Sequence, residues 1–116
     1  MQYMLLIYSD EAKEPKPGSP EMESHMGGYF RFTEEVRSAG KMVAGDALQP
    51  VGTATSVRVR DGAAQTTDGP FAETKEQLGG YYLLDCENLD EAIAYAQKIP
   101  SAAFGTIEIR PVMVFD

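Results

Sequence analysis

The chain contains no tryptophan, one cysteine and one histidine, and none of its apolar runs approaches the about 18 residues that a membrane-spanning helix needs. The lone Cys86 cannot form an intramolecular disulfide and lacks the paired spacing of a zinc site, which suits a reducing compartment. The start of the chain has no basic leader and no small-residue cleavage pattern. We therefore expect a cytoplasmic protein.

Positive charge is also scarce. The chain has 18 acidic and 10 basic side chains, a formal net charge of −8, and the basic residues are scattered. Binding to nucleic acid needs clustered positive charge, as does binding to an anionic membrane, so we expect neither partner. The length of 116 residues and the hydrophobic content of 43% predict one globular domain over residues 1–116, whose core is filled by Met, Tyr and Phe.

The first half of the chain carries strand and helix signals in turn. Residues 2–9 are a short apolar run, typical of a central strand buried on both faces. Ser19-Pro20-Glu21 predicts a helix start, and an apolar stripe at helical spacing continues to Ala39-Gly40. Gly27-Gly28 inside this helix indicates either a kink or a very close packing partner.

The second half predicts a strand, a hairpin, a further strand, a helix and a last strand. Residues 41–50 predict a strand broken near Gly45, residues 55–67 a hairpin that turns at Asp61-Gly62, and residues 79–86 a further strand. A second helix begins at Asn88 and is ended by Pro100. Its apolar face is predicted to be Leu89, Ala92, Ile93, Ala96 and Ile99. The last strand is predicted over residues 105–115, with Arg110-Pro111 at an edge or a bulge.

This order predicts a ferredoxin-like α+β sandwich, in which two helices cover one face of a mainly antiparallel sheet. The other face would carry residues such as Tyr3, Leu5 and Ile7, or the residues that alternate with them. Because an exposed apolar face of that size indicates a partner, we expect a homodimer with the sheets face to face.

No phosphate-binding loop, metal motif or hydrolase elbow is present, so the sequence supports neither a cofactor nor a metal. His25 and Tyr29 lie one helical turn apart, where a histidine can act as a general base. The alternative is a structural role for both residues. Asp46, next to Gly45, either faces a pocket or accepts backbone hydrogens in a turn.

Further candidates follow the hairpin. Asp68 opens the turn sequence Asp68-Gly69-Pro70, while Glu73, Lys75 and Glu76 fit either a solvated turn or a binding site. Arg110 lies among apolar strand residues, where an arginine needs a carboxylate or an anionic ligand. Asp68, Glu73 and Glu76 are the carboxylates with which it could pair.

Five stretches give the chain a family likeness: VAGDALQP, ATSVRVRDG, TDGPFAETKEQLGGYYLLD, LDEAIAYAQKIP and IEIRPVM. Together they resemble the DGPF-domain branch of the YciI-like, or YCII-related, proteins. The resemblance implies a dimeric α/β barrel built from two ferredoxin-like protomers, with a cleft between sheet and helices and the DGPF segment near its rim. Many DGPF proteins are encoded beside sigma factors of the extracytoplasmic-function type.

The wider family has a proposed acid/base pair, a histidine and an aspartate, associated with the first helix. Counting back from Gly40, those two positions hold Tyr29 and Ser38 in this chain, while His25 lies one turn earlier. The acid/base site of the wider family therefore carries over only if His25 substitutes for its histidine.

We therefore expect a homodimer that binds a small polar or anionic ligand in the cleft. The predicted lining residues are Tyr29, His25, Asp46, Asp68 and Arg110, with Glu73 and Lys75 as further ligand-binding candidates. A catalytic version would be a cofactor-independent isomerase or lyase, in which His25 or Asp46 carries the proton and Arg110 holds a carboxylate. The alternative function is a protein-interaction module that serves a neighbouring sigma factor.

Overall fold

The computed structural model describes residues 1–115, which contain six strands and two helices. In chain order these are Gln2–Ser9 (β1), Pro20–Ser38 (α1), Met42–Ala47 (β2), Thr55–Arg60 (β3), Ala63–Asp68 (β4), Gln77–Asp85 (β5), Leu89–Ala96 (α2) and Thr106–Pro111 (β6). Short 3₁₀ turns occur at Glu11–Lys13, Val51–Thr53 and Pro100–Ala103. Neither helix in residues 1–115 has the length and apolar character that crossing a membrane requires.

Four strands form an antiparallel sheet in the order β2-β5-β1-β6, and both helices pack on one of its faces. Tyr3, Leu5 and Ile7 of β1 are buried beneath the helices. The opposite face, called here the uncovered face, carries Met4, Leu6 and Tyr8 of β1, which are half-buried. β1 is therefore a central strand as predicted, but its burial on both faces is wrong for the single chain, because both helices lie on the same side.

The first helix begins as its sequence predicts. The Ser19 hydroxyl accepts a hydrogen bond from the Met22 N–H at 3.1 Å, and Pro20 occupies the first turn. α1 then runs through the glycine pair as one helix. A Cβ atom on Gly28 would lie 2.9 Å from Cγ of Pro100. Of the two explanations for the glycine pair, the structure therefore supports a close packing partner, at Gly28.

The predicted break of the second strand at Gly45 is wrong. β2 is continuous there, with Gly45 paired to Tyr82, and its register shifts nearer its start, between Met42 and Ala44. A Cβ on Gly45 would come within 2.9 Å of the ring of Tyr82 and of the Met42 methyl group. This glycine therefore permits close side-chain packing instead of ending the strand.

The second helix is shorter than predicted. Asn88 caps it by accepting the Glu91 N–H at 2.9 Å, but α2 ends at Ala96, and the buried Ile99 lies in the connection that follows. Leu89 is 48% exposed, so the predicted apolar face is only partly buried. The last strand is also shorter than predicted, since it ends at Pro111 on the edge of the sheet, where a missing N–H is tolerated.

Strands β3 and β4 form a separate two-stranded sheet, called here the hairpin arm (residues 55–68). Its turn has positive φ at Asp61 (52°) and Gly62 (77°), which confirms the predicted hairpin. Nearly every residue of the arm is exposed. The radius of gyration is 16.1 Å, against about 13 Å expected for a compact chain of this length, because the arm projects from the four-stranded sheet.

Candidate functional site

A cavity of about 390 Å³ lies between α1 and one end of the four-stranded sheet. Its walls come from α1, the end of β1, the facing parts of β2 and β5, and the connections at residues 11–14 and 48–50. The volume is within the range of small-molecule sites, which is about 300–1,000 Å³. The connections are tied together, since the Glu11 carboxylate accepts the Val51 N–H at 2.9 Å.

A buried pair of hydroxyl groups lies in this cavity. The hydroxyl oxygens of Tyr29 and Ser101 share a hydrogen bond of 2.6 Å, and Ser101 is only 4% exposed. The close packing of Gly28 on Pro100 brings the 3₁₀ turn that carries Ser101 against α1. Burial raises the pKa of Tyr29 above its usual value, although the bond to Ser101 opposes the shift. Tyr29 is therefore a neutral hydroxyl near neutral pH.

A second polar pair lies in the same cavity, on the side of the sheet. Ser9 is at the end of β1, in alternation with the buried Leu5 and Ile7, and is 3% exposed. Its hydroxyl donates to Oε1 of the half-buried Glu14 at 2.6 Å. The negative charge of Glu14 is a minor cause of the raised pKa of Tyr29. The two pairs therefore border the same cavity.

His25 also lines the cavity, one turn before Tyr29 on α1. Its ring meets the Tyr29 ring edge to face, with 5.1 Å between centroids, and lies 5.6 Å from the ring of Phe104. The prediction that His25 and Tyr29 point toward a cleft between helix and sheet agrees with this placement. Their chemical roles stay predictions.

Asp46 borders the cavity, but its carboxylate belongs to the other side of the sheet. The register pairs Asp46 with Tyr81 and Gly45 with the buried Tyr82, and strand side chains alternate between faces. The Tyr81 hydroxyl donates to Oδ2 of Asp46 at 2.6 Å, and this bond raises the pKa of Tyr81. The structure therefore does not bring the carboxylate of Asp46 together with the imidazole of His25.

The remaining four predicted site residues do not line the cavity. Asp68 ends the hairpin arm, Glu73 and Lys75 are exposed in the connection to β5, and Arg110 is on the edge strand β6. β6 and β2 are opposite edges of the sheet, so Arg110 cannot join Asp46 at one cleft of the single chain. This corrects the predicted lining for Asp68 and Arg110.

The predicted pairing of Arg110 is also absent. Within residues 1–115, no ion pair of 4.0 Å or less involves Arg110. Its pairing with Met4 places it on the uncovered face. Glu76, one of its expected partners, instead accepts a hydrogen bond from the Thr106 hydroxyl at 2.9 Å.

The DGPF segment forms the base of the hairpin arm and does not border the cavity of its own chain. The Gly69 N–H donates to the Ala54 carbonyl, and the Gln77 amide donates to the carbonyls of Ala72 and Thr74. These bonds hold the loop in shape. Phe71, between them, is 79% exposed.

Sequence reasoning missed Ser9, Glu14 and Ser101. A signal existed for Ser9, since the alternation of β1 places this polar residue in register with buried apolar ones. Glu14 and Ser101 lie in irregular connections, where no periodicity indicates which side chains turn inward. Among residues 1–115, no three His, Cys, Asp or Glu side chains lie close enough together to hold a metal ion.

The fold and the cavity define a small mixed α+β domain with a ligand-sized site, consistent with a dimeric α+β barrel. Residues 1–116 match the YCII-related domain, and the chain belongs to that family. It is 37% identical over 117 residues to an uncharacterized protein of Rhizobium meliloti, a match that covers 99% of this chain and 94% of the relative.

One solved structure extends the comparison. The chain is similar to 5-chloro-2-hydroxyhydroquinone dehydrochlorinase (TftG) from Burkholderia phenoliruptrix AC1100, in complex with 2,5-dihydroxybenzoquinone. The TM-score is 0.53 and the identity 14%, over 97% of this chain and 94% of that one. At this identity the likeness concerns the fold.

Proposed function

We propose that the cavity binds a small polar ring compound and that the protein is a cofactor-independent acid/base enzyme of the isomerase or lyase type. The observation that carries this proposal is the meeting of two hydrogen-bonded polar pairs, Tyr29–Ser101 and Ser9–Glu14, in one cavity of about 390 Å³. A few placed polar groups in a mainly apolar cleft are typical of small-molecule sites. The structural neighbour, a dehydrochlorinase solved with a dihydroxybenzoquinone, supports a ring ligand.

The roles follow from where the side chains lie. A neutral Tyr29, supported by Ser101, can donate a hydrogen bond to a ligand oxygen that gains negative charge during the reaction. His25 lies one turn away on the same wall, and histidine is the residue type that most often acts as a general base. Because the Asp46 carboxylate is on the other side of the sheet, the proposal gives the proton transfer to His25.

Ligand binding tests the proposal directly. Wild-type protein, Tyr29→Phe and the control Tyr95→Phe would be heated with and without resorcinol or catechol, and their Tm values compared. Tyr95 packs against the core outside the cavity. Tyr95→Phe is therefore a matched control, since it removes the same phenolic hydroxyl away from the proposed site. A ligand at 100 times its Kd stabilises the folded state by about 2.7 kcal/mol. We expect this gain in wild type and Tyr95→Phe and a smaller one in Tyr29→Phe; no shift in any protein contradicts the proposal.

We also propose that the chain belongs to the DGPF branch of its family, with the ferredoxin-like arrangement, and forms a homodimer through the uncovered face. This face offers an apolar surface: Met4, Leu6, Tyr8, Tyr81 and Leu83. The hairpin arm, which has no core of its own, would gain support from a second copy.

Sedimentation of Leu6→Lys and of the control Leu89→Lys tests this assembly. Leu89 is an exposed leucine on α2, away from the uncovered face. We expect only Leu6→Lys to convert the dimer to a monomer, because taking a charge out of water at the interface is costly even opposite Glu108, which pairs with position 6. A monomeric wild-type chain would contradict the homodimer and would leave the uncovered face to a different protein, such as the sigma factor of the alternative function.

A further inference from the structure

The charges around the cavity restrict what it can bind. Among the described residues that line it, Glu11 and Glu14 are acidic and none is a lysine or an arginine, while the carboxylate of Asp46 points to the other side of the sheet. The net charge of −8 adds to this negative surrounding. An anion that leaves water for such a site loses its hydration and meets no fixed cation in return, which is unfavourable. Arg110, the predicted holder of a carboxylate, is on the far edge of the sheet.

Glu14 has an oxygen free for a ligand. Ser9 donates to its Oε1, while Oε2 has no hydrogen bond to residues 1–115. A carboxylate oxygen accepts hydrogen bonds, so Oε2 can accept one from water or from a donor on a ligand. The buried Ser9 hydroxyl fixes the orientation of the carboxylate. Glu14 is therefore arranged to accept a hydrogen bond from a molecule in the cavity.

The apolar walls suit a ring. Met22, Met26 and Phe30 of α1 line one side, and Tyr82 of β5 lines the sheet side. Aromatic and thioether side chains pack well against flat rings, and their faces also tolerate positive charge. The cavity thus combines apolar walls with a carboxylate that has one oxygen available to a ligand donor.

We propose that the cavity selects ring compounds that carry a hydrogen-bond donor, either a phenolic hydroxyl or a protonated amine, over rings that carry a carboxylate, and that Glu14 makes the selection. This inference rests on the proposed function, in which the cavity binds a small ring compound. It replaces the expectation of an anionic ligand and adds a ligand-binding residue that neither the helix periodicity nor the family resemblance indicates.

Calorimetric titration of the full chain with three matched rings tests the inference. Resorcinol supplies neutral donors, benzylamine a cationic donor and benzoate an anion. The variants are Glu14→Gln and, as the control, Glu23→Gln, which makes the same charge change at an exposed position of α1 outside the cavity. Circular dichroism and urea unfolding establish that each variant is folded.

We expect wild type and Glu23→Gln to bind at least one donor ring about tenfold or more tighter than benzoate. We expect Glu14→Gln to lose most of that preference, because a hydrogen bond to a charged group changes affinity by about tenfold or more. Tighter binding of benzylamine than of resorcinol would assign the ligand as an amine, and the reverse as a phenol. Benzoate bound as tightly as both donors, or an unchanged preference in Glu14→Gln, overturns the inference but leaves the proposed function standing. Failure of all three rings to bind overturns both.

A second variant keeps the test decisive if Glu14→Gln does not fold. Ser9→Ala removes the hydroxyl that orients Glu14 and keeps the charge. We expect it to weaken donor binding severalfold while benzoate stays the weakest ligand. An unchanged affinity for resorcinol and benzylamine in a folded Ser9→Ala protein contradicts the role given to the Ser9–Glu14 pair.

Discussion

The glycine pair of α1 allows a matched test of the packing that builds the cavity wall. Replacing a helical glycine by alanine stabilises an exposed helix by about 1 kcal/mol. At Gly27 the nearest obstacle to a Cβ is Nη1 of Arg31 at 3.3 Å, the end of a flexible side chain. At Gly28 it is Cγ of Pro100 at 2.9 Å, in the turn that carries Ser101. Gly27→Ala should therefore stabilise the protein, and Gly28→Ala should not.

We expect Gly27→Ala to raise the free energy of unfolding by up to about 1 kcal/mol. Gly28→Ala has the same gain in helix propensity, but overpacking costs about 1–3 kcal/mol, so its net effect should lie between about zero and a loss of 2 kcal/mol. Urea unfolding of the three proteins measures both changes, with an unchanged m value as the sign that the transitions are comparable. Equal stabilisation by both substitutions would refute the close contact at Pro100.

Three further predictions concern local contacts. Burial raises the pKa of Tyr29, so the free energy of unfolding should fall as the pH rises above 10.0, the usual pKa of tyrosine. The fall should be smaller in Tyr29→Phe, and an equal fall in both proteins contradicts this. Loss of the α2 cap in Asn88→Ala should lower the free energy of unfolding by about 1 kcal/mol, whereas Asn88→Asp should keep it. The hydrogen bond from Lys41 lowers the pKa of Glu91 below its usual value of 4.5. The stability that this pair contributes is therefore present above pH 4.5 and is lost as the pH falls through the lowered pKa. A difference in the free energy of unfolding between wild type and Glu91→Gln that does not vary with acid pH contradicts this.

Signals that act within a few residues predicted structure well. The hydroxyl of Ser19 and the amide of Asn88 cap their helices, and the turn at Asp61-Gly62 has the positive φ angles that a two-residue hairpin requires. Each of these depends on backbone groups at most three residues away. Their outcome therefore does not depend on how the rest of the chain folds.

Features set by distant parts of the chain were harder to predict. The packing partner of Gly28 is Pro100, which a helix propensity cannot identify. The bond between Tyr29 and Ser101 joins residues 72 positions apart. Arg110 is separated from the cavity because β6 pairs with β1 at the far edge and because its register with Met4 turns it to the uncovered face. Side chains were assigned to one site by residue type, whereas strand order decides which of them meet.

Glu14 shows the same limit at the site itself. It lies in a loop rich in proline and glycine, where a charged residue is predicted to be exposed to solvent. Its inward position follows from the bond to Ser9, and Ser9 is buried only because the alternation of β1 places it under the helices. A polar residue in register with a buried apolar stripe is the one sequence signal that leads to this pair.

A crystal structure of the protein grown with resorcinol would show whether the cavity holds a ring. We expect the ring between α1 and the sheet, with one hydroxyl within hydrogen-bond distance of the Glu14 carboxylate and the other near the Tyr29 hydroxyl. Density for the ring only at some other surface, with the cavity filled by water at saturating resorcinol, would contradict it.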